Sequence, residues 1–471
     1  MPRNEACRPP DTAWPVIPPA RVGSEPCPQW VACPIDPAFL EGVDWDAITG
    51  AARSLPLVRW TDSSEKERWL GLGAADDLTA RDAESAWMIP TLCRKRLAAI
   101  RGPASVRPLL RYFGGIAFDP HDDAHPDWTS GGRGRFVLPR IILRQSWESG
   151  ATGGVAIVSS RPGTALQGIG ETVSAELEEI GARAVPSRRI SPSPLSAVPI
   201  AGERERWIES VRLALDAIES GRIRKVVLSR DFLLASRSGD LDPAGLVGKI
   251  ESQLAHGHMF CFRFDRDAAF LGATPERLVS LAGGAMRCDC LAGTGPRGMD
   301  GQGDDAMAAL LLGSDKNLRE HRFVRDGIVS SLEPVARWIE VETRPAVLRL
   351  AGLHHLSTSI RGSLRDGVAL GDLLRRLHPT PAVGGSPRDP ALAMIRRLEG
   401  RPRGWYAGSV GWVALYDADF AVAIRSGIVR GGTLRAFAGA GIVSGSDPEA
   451  EWDETARKAA SFLNIFTEAE P

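Results

Sequence analysis

Apolar and polar positions repeat along this chain with two different periods. A period near 3.6 residues predicts amphipathic helices, and alternation predicts half-buried strands. The helical pattern is clear in "ERERWIESVRLALDAIESG", closed by Gly221, and again near 243–255, 302–312, 315–338, 368–377, 387–399 and 448–466. An earlier helix is expected in "GETVSAELEEIGARA". Strands are expected in "RYFGGIAFDP", "RFVLPRIILRQS", "GGVAIVSS", "KVVLSRDFLLA", "MFCFRF", "AAFLGATPERLVSLA" and "AMRCDCLAGTG". The run "IEVETRPAVLRLAGLHHLSTSIRGSL" predicts a long pair of strands, and "GWYAGSVGWVAL", "DFAVAIRSGIVRG" and "TLRAFAGAG" predict three more. Adjacent strands broken by helices argue for an α+β fold, with large antiparallel sheets and helices packed outside.

Punctuation divides the chain. Residues 1–34 are rich in proline and read as an extended arm, poorly ordered. Residues 35–200 read as an N-terminal part of the fold, ending in the linker "VPSRRISPSPLSAVPIAG". Residues 201–467 carry most of the chemical signals. At 471 residues a large core is available, and a formal net charge of -1 gives no basic surplus for nucleic acid or anionic membrane. No apolar run is long enough to span a bilayer, and the first residues lack the apolar core of a secretory signal. Seven cysteines without metal spacing suit reduced, buried thiols and a cytoplasmic setting.

Candidate chemistry gathers on two helices. In "GSDPEAEWDETARK", Ser446 or Asp447 caps a helix with Pro448 in its first turn, and Glu451, Glu454 and Lys458 share one face. In "SDKNLREHRFV", Asn317 and Glu320 form a similar pair. Oxygen donors from both helices would suit Mg²⁺, although solvated helix faces look the same from spacing alone. Lys225 opens an apolar strand, where it either snorkels to solvent or, buried beside other cations, serves as a base. Glu276 follows a Thr-Pro corner, a structural position unless burial makes it an acid. "AGTGPRG" contains GxGxxG, but Pro296 and polar residues follow instead of a helix, which argues against a dinucleotide site. Its glycines suit close approach of backbone to a small anion. His355 alternates in a strand, where packing explains it as well as chemistry does.

Taken in order, these stretches resemble the chorismate-utilising enzymes. The motifs are "KVVLSR", "FLGATPERLV", "LAGTGPRG", "SDKNLREHRFV", "HHLSTSIRGSL", "LHPTPAVGGSP", "RGWYAGSVGW", "AIRSGIV" and "FAGAGIVSGSDPEAEWDETARK". The resemblance covers about residues 203–466, with an echo in "FGGIAFDP" and "FVLPRIIL". It implies two large, mainly antiparallel sheets face to face, with helices outside and the site between them. Lysine at Lys225 resembles the isochorismate and salicylate synthases, which activate water. The ammonia-using anthranilate and aminodeoxychorismate synthases carry glutamine there. Ala292 stands where aminodeoxychorismate synthases carry a nucleophilic lysine. "LHPTPAVGGSP" and "YAGSVGW" favour the isochorismate synthases over the salicylate synthases, whose extra step eliminates pyruvate.

The resemblance further implies roles. Lys225 is the expected base and Glu276 the expected acid. Glu320 and Glu454 would bind Mg²⁺ directly, with Glu451 helping through water. Tyr406 and Arg425 would grip the enolpyruvyl carboxylate of chorismate. Lys458, Gly441 and the Gly293–Thr294 backbone would complete the anion cradle, and His355 would orient the ring carboxylate. Two positions depart from the family pattern. Asn317 replaces a frequent acid, which removes a charge near the cation, and Gly295 replaces a frequent arginine. The product would feed menaquinone or siderophore synthesis, and a monomer and a dimer are equally compatible. A protein that binds a dicarboxylate without turnover is the alternative of another class, though retention of both Lys225 and Glu276 argues against it.

Overall fold

A computed structural model describes residues 20–21, 30–36, isolated positions to 52, most of 56–159 and most of 195–467. The helix expected at "GETVSAELEEIGARA" and the first part of the linker, to residue 194, lie outside the described residues, whereas the rest of the linker includes a strand, Ser196–Val198, paired antiparallel with residues 233–235. The arm is described only at Ala20–Arg21 and Trp30–Pro34, both strands. Among the described residues, no helix is long and apolar enough to cross a membrane.

Two sheets, of 11 and 12 strands, make up the centre. Apart from the parallel pairing of Ala20–Arg21 with Asp76–Thr79, the pairings within both are antiparallel. In the larger sheet, side chains alternate between two cores as strand geometry requires. Trp60, Phe260 and Phe262 enter one core, whereas Leu57, Met259 and Cys261 enter the other. The first core lies between the sheets: Trp69 of the larger meets Phe113 of the smaller at 6.5 Å between ring centroids. The second is covered by helix Pro243–Gln253, through Leu246, Val247 and Ile250, and by Phe462.

Both sheets interleave strands from before residue 160 and after residue 195. Tyr112–Ile116 pairs with Ser409–Val413 in the smaller sheet, and Leu57–Asp62 pairs with His258–Arg263 in the larger.

Four expected elements are subdivided. "RFVLPRIILRQS" is two strands, Gly134–Leu138 and Ile141–Ser146, in different sheets, because Pro139 ends the first ladder. "DFAVAIRSGIVRG" likewise splits into Ala418–Val422 and Ser426–Arg430, one in each sheet. The third, the long pair, is three strands: Ala336–Val341, Ala346–Arg349 and Leu353–Leu364. Accordingly, the helix expected to 338 stops at Leu332, where Pro334 cannot continue it. The motif "AAFLGATPERLVSLA" also crosses between sheets, from Ala268–Thr274 to Arg277–Ala282.

Candidate active site

Two of these crossovers lie side by side and carry Glu276 and Arg425. The Thr274 hydroxyl donates to the carbonyl of Val422 at 2.7 Å, and the Val422 amide donates to the carbonyl of Glu276 at 2.9 Å. Ala273 N–H donates to the Arg425 carbonyl at 3.1 Å. Arg425 itself has φ +48, an unusual conformation for a non-glycine residue, held by this pairing. The two side chains are thereby delivered where the sheets exchange strands.

Glu276 is buried, and burial pushes its carboxyl up to about 8, with Asp289 adding to the effect and Lys225 opposing it. Burial also lowers the Arg425 guanidinium to about 10, so it stays charged at neutral pH. Among the described residues it has no hydrogen-bonded or ionic partner, which leaves its fork open to a planar anion.

Lys225 begins strand Lys225–Ala235, whose partner Thr433–Ile442 sets Gly441 opposite Val227. The lysine is 3% exposed, and its Nζ lies 3.3 Å from Glu320 Oε1. Gly441 makes room for it. A Cβ at Gly441 would stand 3.0 Å from Lys225 Cε, 3.4 Å from Nζ and 3.7 Å from Glu320 Oε1. Gly441→Ala should therefore displace the amine without unfolding the protein, lowering kcat roughly tenfold; kcat measured beside the melting temperature checks this.

Glu320 sits on helix Asp315–Leu332, capped by Ser314. Burial would raise its carboxyl, but Lys225 and Lys458 hold it below the usual range. Asn317 is turned to the cap, its Nδ2 donating to Ser314 Oγ at 3.0 Å. Asn317 also backs onto Gly293, where φ is +81 and an added Cβ would lie 3.2 Å from the Asn317 carbonyl oxygen. Only glycine suits both demands.

Helix Pro448–Leu463 supplies the other acids, with Asp447 as its cap. Lys458 Nζ is 2.6 Å from Glu454 Oε1 and donates to the carbonyl of Gly439 at 3.2 Å. Glu451 is buried, and burial and the neighbouring Glu454 push its carboxyl up, against the Ser446 hydrogen bond, Lys458 and Lys316. Glu320, Glu451 and Glu454 thus share one electrostatic neighbourhood. Their oxygens do not lie within 4.8 Å of one another; among the described residues, that closeness of three possible ligands occurs at Asp62, His258 and Asp419.

His355 Nδ1 is 3.3 Å from Thr294 Oγ1 and 3.4 Å from the carbonyl of Gly293. Burial, followed by Arg425 and Lys458, lowers the imidazole to about 3, so the ring is neutral. Tyr406 is buried and stacks on Phe437 at 4.9 Å. Its hydroxyl stands 3.4 Å from where a Cβ at Gly439 would be, one alternation along the strand from Gly441. Lys316, next to Asn317, and Ser446, a capping type by sequence, both act on Glu451, a role their spacing does not signal.

A family model described as "Chorismate binding enzyme" matches residues 49–467. The chain belongs to that family. Isochorismate synthase MenF of Bacillus subtilis is 33% identical over 368 residues, 77% of this chain and 75% of that one. The salicylate biosynthesis isochorismate synthase of Pseudomonas aeruginosa is 33% identical over 444 residues, 92% of this chain and 88% of its own. Among solved structures, MenF of Escherichia coli, described as a menaquinone-specific isochorismate synthase, matches with a TM-score of 0.76. It is 28% identical, and the match covers 94% of this chain and 97% of that one. In this chorismate binding enzyme, then, the amine of Lys225, the guanidinium of Arg425, the ammonium of Lys458 and the carboxyl of Glu276 come from separate elements of the fold.

Proposed function

We propose that the protein is an isochorismate synthase. The observation that carries this reading is the pairing of a buried amine with a buried, protonated carboxyl in one electrostatic neighbourhood, Lys225 with Glu276. Lys225 takes a proton from water as its oxygen bonds to C2 of chorismate. The ring double bonds shift, the C4–O bond breaks, and Glu276 gives its proton to the departing hydroxide, which leaves as water. The lysine ends protonated and the glutamate ionised, so atoms and charge balance.

Arg425 and the Tyr406 hydroxyl hold the enolpyruvyl carboxylate. Lys458 and the amides at Gly293, Thr294 and Gly441 cradle the remaining anionic surface, and neutral His355 orients the ring carboxylate. The acids fit a hard divalent cation: all their donors are oxygens, and the repulsion between Glu451 and Glu454 is of the kind a cation relieves. Glu320 and Glu454 would hold Mg²⁺, with Glu451 assisting. Bound there, the ion would neutralise the ring carboxylate. Cys93, Cys261, Cys288 and Cys290 are buried thiols, in keeping with work in the cytoplasm.

Incubating the protein with chorismate and Mg²⁺ tests the reading. Isochorismate as sole product is the expected result, falling at least roughly tenfold when a chelator removes the cation. Salicylate with pyruvate would instead mark a salicylate synthase, and binding without any product would mark a dicarboxylate-binding protein.

A further inference from the structure

Directly beside Glu276, four buried charges tie the two sheets together. Asp62 and His258 face each other across the larger sheet, and Arg277 and Asp419 belong to the smaller. Arg277 Nε donates to Asp419 Oδ1 at 3.1 Å, and its Nη2 donates to Asp62 Oδ2 at 2.6 Å and to Ser64 Oγ at 3.2 Å. His258 Nε2 lies 3.0 Å from Asp419 Oδ2 and 3.4 Å from Asp62 Oδ2. Each carboxylate is thus shared between the same two cations, and the quartet sums to no net charge when His258 is protonated. Burial opposes charge on His258, but Asp419 and Asp62 hold its pKa up at about 9. With Arg277 bonded to both carboxylates and His258 Nε2 beside them, these facing atoms already have protein partners.

The quartet bears on the reaction through the chain itself. Arg277 follows Glu276, and successive side chains leaving an extended crossover point to opposite sides. The backbone of Glu276 is held by its carbonyl, which accepts from Val422 N–H, and by its own N–H, which donates to Thr274 Oγ1 at 3.2 Å. An anchored Arg277 removes the remaining freedom, rotation of the crossover.

We propose that Arg277, clamped between Asp62 and Asp419 with His258 completing the quartet, is a positioning residue that fixes the Glu276 carboxyl toward the reacting ring. This rests on Glu276 being the proton donor. Lysine at 277 keeps the charge but loses the guanidinium's fixed two-armed fork, and methionine keeps neither. Arg277→Met should lower kcat roughly 10- to 100-fold while the KM for chorismate moves less than about threefold, and Arg277→Lys should recover part of the loss. The high-pH limb of the kcat profile should also shift to lower pH in both, because a loosened carboxyl admits water. The groups facing that carboxyl from other strands, Lys225, Asp289 and Cys290, are unchanged in these variants. If the limb stays in place in both variants, the proposal is overturned, whatever happens to their melting temperatures. Should Arg277→Met not fold, Arg277→Lys decides on the same two readouts. Glu276→Gln assayed alongside separates the two ideas: turnover at the parental rate there would remove the proton donor itself, whereas an inactive Glu276→Gln beside unaltered Arg277 variants would remove only the clamp.

Discussion

Lys225→Gln should lower isochorismate formation by about a thousandfold, within the range a positioned acid or base contributes. The amide matches most of the lysine's length but cannot accept water's proton at any working pH. Glu320 would lose its 3.3 Å partner, yet Lys458 still acts on it, so the acid cluster should hold together. Chorismate affinity, measured by calorimetry, should therefore stay within about threefold, because Arg425, Tyr406 and Lys458 are untouched. Turnover at the parental rate would strip Lys225 of its role; a parallel loss of affinity would make it a binding residue instead.

The second large effect is expected at Glu276. Its carboxyl titrates at about 8, so the proton it must donate is present below that pH and lost above it. Activity should fall on the alkaline side with a midpoint near pH 8, and Glu276→Gln should cost about 10³-fold below that midpoint, the gap narrowing above it. Stability gives an independent readout. Between 4.5 and about 8 the folded protein keeps a proton that the unfolded chain releases. Rising pH therefore weakens the fold across that window, by up to about 1.4 kcal/mol per unit. The glutamine side chain resembles the protonated acid and has nothing to release. Melting temperatures of parent and variant should accordingly diverge from pH 5 to pH 8, with the inactive variant the more stable at the upper end.

Patterning alone located nearly every helix of the second half, because each buries one face and is punctuated by capping residues, as Gly221 and Asp447 illustrate. Strands were found where they lie but not where they end. "DFAVAIRSGIVRG" and "RFVLPRIILRQS" carry apolar residues on both sides of the break, and hydropathy does not register the point at which the chain leaves one sheet for another. That omission mattered for the site. Glu276 and Arg425 owe their approach to two such crossings, a long-range fact invisible to spacing. The three acids and Lys458 were visible as one-faced pairs, whereas Lys225 was indistinguishable from a snorkelling lysine until Gly441 and Glu320 appeared beside it. The clamp around Arg277 had no local signature, since its four members come from strands distant in the chain.

The interleaving of early and late strands has a practical corollary for anyone wishing to work with less than the whole chain. A fragment beginning near residue 200 would keep most of the site residues yet expose His258–Arg263 and Ser409–Val413, which lose their neighbours Leu57–Asp62 and Tyr112–Ile116. Bare apolar ladders of that kind stick to one another. Minimal versions of this scaffold are thus better sought by trimming its surface loops than by severing it in the middle.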